Sequence, residues 1–95
     1  MQKKLNIKDL AKWVISVDRR LVLMQVMHGH TIIKASDIAH ETGRSTQNIS
    51  HALKELEDKG LVDCLTPDKG SWKKYILTEL GREVLSELEK KYHLE

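Results

Sequence analysis

No phenylalanine occurs in the 95 residues, and with two tryptophans and two tyrosines the aromatic share is only 4%. A core built without aromatics must be aliphatic, from Leu, Ile, Val and three Met, a composition that suits small helical domains. A single cysteine, Cys64, excludes an internal disulfide, so nothing demands an oxidising compartment and the expectation is a cytoplasmic protein. No run approaches the roughly 18 consecutive apolar residues of a bilayer-spanning helix. The N-terminal Met1-Gln2-Lys3-Lys4-Leu5 leads into amphipathic sequence rather than a signal-peptide core. Repeats, low-complexity tracts and linkers are missing too, so one domain over residues 1–93 is expected, with Leu94-Glu95 read as a cloning remnant.

Neither sign of charge dominates: the net charge is +2, although residues 1–34 carry seven Lys/Arg against two Asp and the remainder is net acidic. A balance of this kind neither requires nor excludes a nucleic-acid partner, because the charge on one face matters more than the sum.

What is present is helical periodicity. Asn6 is a candidate N-cap, followed by Ile7, Leu10, Ala11, Val14 and Ile15 on one face. Asp18 is expected to cap a second helix, apolar almost all round through Leu21, Val22, Leu23, Met24, Val26 and Met27, with Gly29 as its left-handed C-cap. Thr31-Ile32-Ile33 reads as a minimal strand. A helix of about two turns then runs to Gly43, and the stretch "GRSTQNISHALKEL" opens another with Ser45 as its cap. Residues 61–65 and 74–78 are strand-like and flank the turn-rich Thr66-Pro67-Asp68-Lys69-Gly70-Ser71, a hairpin pattern. Thr78 caps a last helix with Leu80, Val84, Leu85, Leu88 and Tyr92 on one side. The fold class is therefore mainly α with a small β-hairpin.

Ala39, Gly43, Ser45, Ile49, Leu53 and Leu56 stand at helix-turn-helix spacing, "GLV" at 60–62 opens a wing, and "YILTELG" at 75–81 matches a Y-x-LT-x-x-G closing strand and helix start. In these residues the chain resembles the winged helix-turn-helix fold of MarR- and ArsR-like transcriptional regulators, over roughly residues 18–90. The resemblance implies a helix-turn-helix at 35–59, a wing at 61–78, binding to double-stranded DNA, and homodimerisation through the N- and C-terminal helices. Those helices carry the apolar stripes Ile7, Leu10, Val14 and Leu80, Val84, Leu88, more than one small core needs.

Four short polar residues at the start of the helix from 45 to 59 would weaken it unless a cap or an outside partner used them. Ser45 is the cap. At 100° per residue, Gln47, Ser50, His51 and Lys54 lie opposite the apolar stripe, flanked by Thr46 and Asn48. These six are the candidates to read base edges in a major groove, where Gln or Asn can pair bidentately with adenine. Arg44 in the turn and Lys69, Ser71, Trp72, Lys73 and Lys74 around the hairpin tip are the candidates for the phosphate backbone, with Arg19 and Arg20 as further ones. The tip has lysine where the MarR wing often carries arginine. An alternative reading is a winged helix that contacts protein within a transcription or replication complex, favoured only by Trp72.

No metal, cofactor or enzyme is implied. His28-x-His30 straddles a glycine at a helix end, no Cys-x-Cys lies in the helix from 35 to 42, and Cys64 alone on a strand reads as a small buried apolar residue. No nucleophile and base stand at a spacing that suggests catalysis.

Overall fold

The computed structural model describes residues 6–66 and 73–92. Helix α1 spans Ile7–Ile15 and opens as its sequence demands: the Asn6 side chain accepts from the Asp9 N–H at 2.8 Å, satisfying one of the free donors of the first turn. Ser16 and Val17 separate it from α2, Asp18–His28. The expected Asp18 cap is not formed. Asp18 is the first helical residue, Val17 precedes it without a side-chain cap, and the Asp18 carboxylate turns to Arg44 instead.

Gly29 also departs from expectation. Its φ of −81° is ordinary right-handed backbone, and Gly29 and His30 donate to Val26 and Met27, tightening the last turn rather than reversing the chain. Among the described residues the left-handed glycines are Gly43, φ 70°, and Gly60, φ 77°. Gly43 ends α3, Ala35–Thr42, and makes the turn into α4, Thr46–Asp58. Gly60 ends α4 in a Schellman motif, with Leu61 N–H donating to Leu56 O and Gly60 N–H to Glu57 O.

Strand β1, Ile33–Lys34, precedes α3, while β2, Val62–Cys64, and β3, Lys74–Leu77, form the hairpin after α4. All pair antiparallel in the order β1-β3-β2, with Ile33 and Cys64 flanking Tyr75 on one face and Val62 opposite Leu77. The sheet's base is closed by Leu65 N–H to Lys74 O and by Lys74 N–H to the Thr66 hydroxyl. Helix α5, Glu79–Tyr92, returns across the domain; Thr78 Oγ1 accepts from Gly81 N–H at 3.0 Å and donates to Gly60 O at 2.7 Å. The expected cap therefore also fastens the start of α5 to the exit of α4.

The core is aliphatic throughout the described residues: α2 brings Leu23, Met24 and Met27, α4 brings Ile49, Leu53 and Leu56, and α5 brings Val84, Leu85 and Leu88. No buried polar or charged residue interrupts it among those residues. The stripes of α1 and α5 close on each other within one chain, where Leu10, Val14, Val84 and Leu88 are buried and Ile7 and Leu80 pack against the same core. The surplus of apolar surface inferred from those two stripes is thus absorbed intramolecularly. Tyr92, expected with the α5 stripe, is instead 44% exposed.

Candidate nucleic-acid interface

Helix α4 begins with the arrangement its polar start calls for. The Ser45 hydroxyl accepts from the Asn48 N–H at 3.0 Å, and Ser45 keeps extended backbone, φ −69° and ψ 150°. With Ile49, Ala52, Leu53 and Leu56 turned inward, Thr46, Gln47, Ser50, His51 and Lys54 are left exposed on the outer surface. Together they present hydroxyls, an amide, an imidazole and an ammonium, a mixture of donors and acceptors able to meet base edges.

The candidates divide between two edges of the helix. Gln47, Asn48 and His51 line a shallow groove with Ser45. Thr46, Ser50, Lys54 and Glu57 follow one another at helical spacing along the other edge, facing Lys73 and Tyr75 of the wing. Asn48 is the least available of the six, because its Oδ1 is buried and has no hydrogen-bond partner.

On the wing the pleat sends Lys73 and Tyr75 toward α4, while Lys74 points to the outer face directly across from Lys34. The two lysines therefore serve different surfaces. Lys69, Ser71 and Trp72 lie outside the described residues.

Three arginines expected at the backbone have partners within the fold. Arg44 donates to the exposed Asp18 carboxylate, which ties the turn of the helix-turn-helix to the start of α2. Arg19 and Arg20 both grip Glu55 of α4, Arg19 Nη2 at 3.0 and 2.9 Å to the two carboxylate oxygens and Arg20 Nη2 at 3.1 Å. Arg20 also donates to Trp13 O at 2.7 Å and stacks on the Trp13 ring, with its guanidinium carbon 3.8 Å from the centroid. Lys59, at the far end of α4, lies 5.3 Å from the same ring. Glu55 is thus the residue that sequence reasoning missed: it fixes the angle at which α4 leaves the body, through partners 35 and 36 residues away. No local pattern announces such a pair.

The guanidinium of Arg20, hydrogen-bonded to Glu55, together with the nearby charge of Arg19, holds the Glu55 carboxyl below the usual glutamate range. A depressed carboxylate contributes stability that is fully present above its unfolded value of about 4.3 and is lost as the pH falls through the folded value. Thermal melts should therefore show wild type above Glu55→Gln at pH 6 and the two converging below about pH 4. Parallel curves at all pH values would mean that the ion pair carries no net stability.

No protein-family model matches the chain. A riboflavin kinase of Archaeoglobus fulgidus is 31% identical over 72 residues, covering 76% of this chain but 30% of the kinase, so the chain spans under a third of that relative's length. Among solved structures, a mutant of the type III plasmid segregation protein TubR superposes with a TM-score of 0.78 at 18% identity, over 99% of this chain and all of that one. TubR bound to 24 bp of tubC from Bacillus thuringiensis serovar israelensis pBtoxis gives 0.76 at 22%, over 95% and 99%. The antimony-specific transcriptional repressor AntR gives 0.67 at 17%, over 98% and 91%. These likenesses establish the fold: the chain is a winged helix-turn-helix, with α3 and α4 as the helix-turn-helix and β2–β3 as the wing.

Proposed function

We propose that the chain is a cytoplasmic transcriptional regulator that binds double-stranded DNA sequence-specifically, with α4 in the major groove and the wing on the flanking backbone. One observation carries this reading: at the start of α4 Ser45 serves as the cap and the Asn48 Oδ1 is buried, while Thr46, Gln47, Ser50, His51 and Lys54 stay exposed outside the core, His51 Nε2 lying 3.9 Å from Glu55 Oε2. A major groove supplies the partners that such side chains lack in the free protein. The TubR structure with 24 bp of tubC and the AntR repressor are consistent with it. We assign the chain no reaction and no cofactor.

The domain measures 34 Å along its longest axis, close to one turn of B-DNA, so two copies binding half-sites one turn apart is the arrangement we propose. A second reading has its own observation, the match to under a third of a riboflavin kinase: in that reading this winged helix is one module of a larger protein.

The experiment is binding to a random-sequence duplex at about 50 mM salt, where phosphate contacts are strongest. Absence of any binding there would sink the DNA reading in favour of protein contact. Given a preferred site, Gln47→Ala or His51→Ala should cost about 1–3 kcal/mol on it and flatten its sequence preference, while affinity for random duplex stays nearly unchanged. An equal loss on both DNAs would place these side chains on phosphates rather than on bases.

A further inference from the structure

The groove between α4 and the wing, about 380 Å³, is lined by three of the base-reading candidates together with Tyr75 and Glu57, which that role does not absorb. Thr46, Ser50 and Lys54 come from one edge of α4, and Lys73 and Tyr75 from the inner face of β3 and the residue before it. Each offers an O–H or N–H donor. Such a set suits a tetrahedral oxyanion that accepts from several directions, and its place between the helix of the major groove and the wing is where one strand of a bound duplex must pass.

Tyr75 is the fixed point of this set. It is half-buried between Ile33 and Cys64 on the sheet, so its ring cannot leave with solvent as a lysine tail can. Burial, with the neighbouring Cys64 and Glu57, pushes its phenol above the ordinary tyrosine value, so it remains a protonated donor across the physiological range.

Glu57 is the exception in the lining. It is an acceptor without a donor, exposed, and it lies at the end of the Thr46–Ser50–Lys54 row. A carboxylate there repels the same group that its neighbours attract.

We propose that this groove seats a single phosphodiester of the DNA strand crossing from the major groove to the wing, with the Tyr75 hydroxyl, Lys54 and Lys73 as its donors, and that Glu57 is a built-in brake on its affinity. The proposal rests on the DNA reading given above and names two residues that reading did not use. Glu57 keeps the grip weak enough for the chain to leave non-matching sequence, where every phosphate looks alike and only the base edges on Gln47 and His51 differ. Tyr75 supplies a directed hydrogen bond that adds no charge and releases no counterion.

Fluorescence anisotropy with a labelled random duplex at about 100 mM salt tests both. Glu57→Gln should tighten binding by about three- to fivefold, the size expected when one unit of repulsion at some 5 Å is removed in a solvated site. A gain of affinity cannot come from misfolding. Tyr75→Phe should weaken binding several-fold with the slope of log affinity against log salt unchanged, whereas Lys73→Ala should lower both. In ring NMR of Tyr75, the duplex should shift the resonances, and 10 mM inorganic phosphate at equal ionic strength should not; a shift with phosphate alone would mark a free-ion site and overturn the proposal. Silence of both Glu57→Gln and Tyr75→Phe while Lys73→Ala still costs affinity would remove the seat and leave the DNA reading standing. Failure of the wild-type protein to bind any duplex would instead remove the reading beneath it.

Discussion

Gly81→Ala should lower the melting temperature by well over 10 °C or prevent folding altogether. A Cβ at Gly81 would stand 2.3 Å from the backbone oxygen of Leu61 and 2.9 Å from Leu77 Cδ1, and the first of these neighbours is a carbonyl that cannot rotate away. Leu61 O is already held by the Thr78 N–H at 3.0 Å, and Thr78 is fastened to Gly60 O and to the Gly81 N–H. Relief requires the start of α5 to move off the exit of α4, which breaks those bonds and lifts Val84, Leu85 and Leu88 from the core. Overpacking alone costs about 1–3 kcal/mol. In a domain of this size each kcal/mol shifts the melt by roughly 4–8 °C, and the lost cap bonds add to it. Two other glycines provide the scale. Gly60 has open space around it and only a positive φ to protect, so Gly60→Ala should cost about 1–2 kcal/mol. Gly29 has an ordinary φ and a neighbour at 3.5 Å, so Gly29→Ala should be neutral or slightly stabilising. Calorimetry that ranked Gly81 with Gly29 would mean that α5 does not sit against Leu61.

That glycine illustrates which parts of the fold a reader of the sequence can reach. The "LTELG" stretch was legible as a strand end, a cap and a helix start because each is local: Thr78 finds the Gly81 N–H three residues on, as Asn6 finds Asp9 and Ser45 finds Asn48. The inward stripe of α4 was legible for the same reason, since Ile49, Leu53 and Leu56 recur at the helical period. What failed was non-local or context-dependent. Arg19 and Arg20 look like a free basic pair until Glu55, 35 residues on, is folded against them. The apolar stripes of α1 and α5 each announce a buried face without naming its partner, and they meet each other from opposite ends of the chain. Gly29 follows a helix as a C-cap glycine should, yet the chain leaves α2 through a tightened last turn toward β1 and needs no positive φ there. On the candidate site, periodicity could say which α4 residues face outward; the pleat that parts Lys73 from Lys74, and the groove that brings Tyr75 and Glu57 together, required the sheet's register.

Affinity for random duplex should fall by about a thousandfold between 50 and 200 mM salt, and the amount by which one lysine changes that steepness should count the copies of the chain on the DNA. Each phosphate neutralised by a lysine or arginine contributes a slope of about −0.9 to log affinity against log salt. Arg44, Arg19 and Arg20 are paired with Asp18 and Glu55, so their charges are largely offset. The lysines remain: Lys54 on α4, Lys73 and Lys74 on the wing, and Lys69 at its tip by sequence. About three of these per chain reaching phosphate gives six contacts for two chains and a slope near −5. Lys73→Ala then removes one contact from a monomer and two from a dimer, so the slope should flatten by about 1 in the first case and about 2 in the second. Lys74→Ala, on the face of the sheet turned away from α4, should flatten it less than Lys73→Ala does. Sedimentation of the free protein at tens of micromolar supplies the independent count. A flattening near 2 with a monomer in solution would mean that DNA assembles the pair, and a flattening near 1 with a dimer in solution would mean that only one copy's wing reaches the backbone. A salt-independent affinity would remove phosphate from the interface entirely, and with it the placement of α4 in a groove.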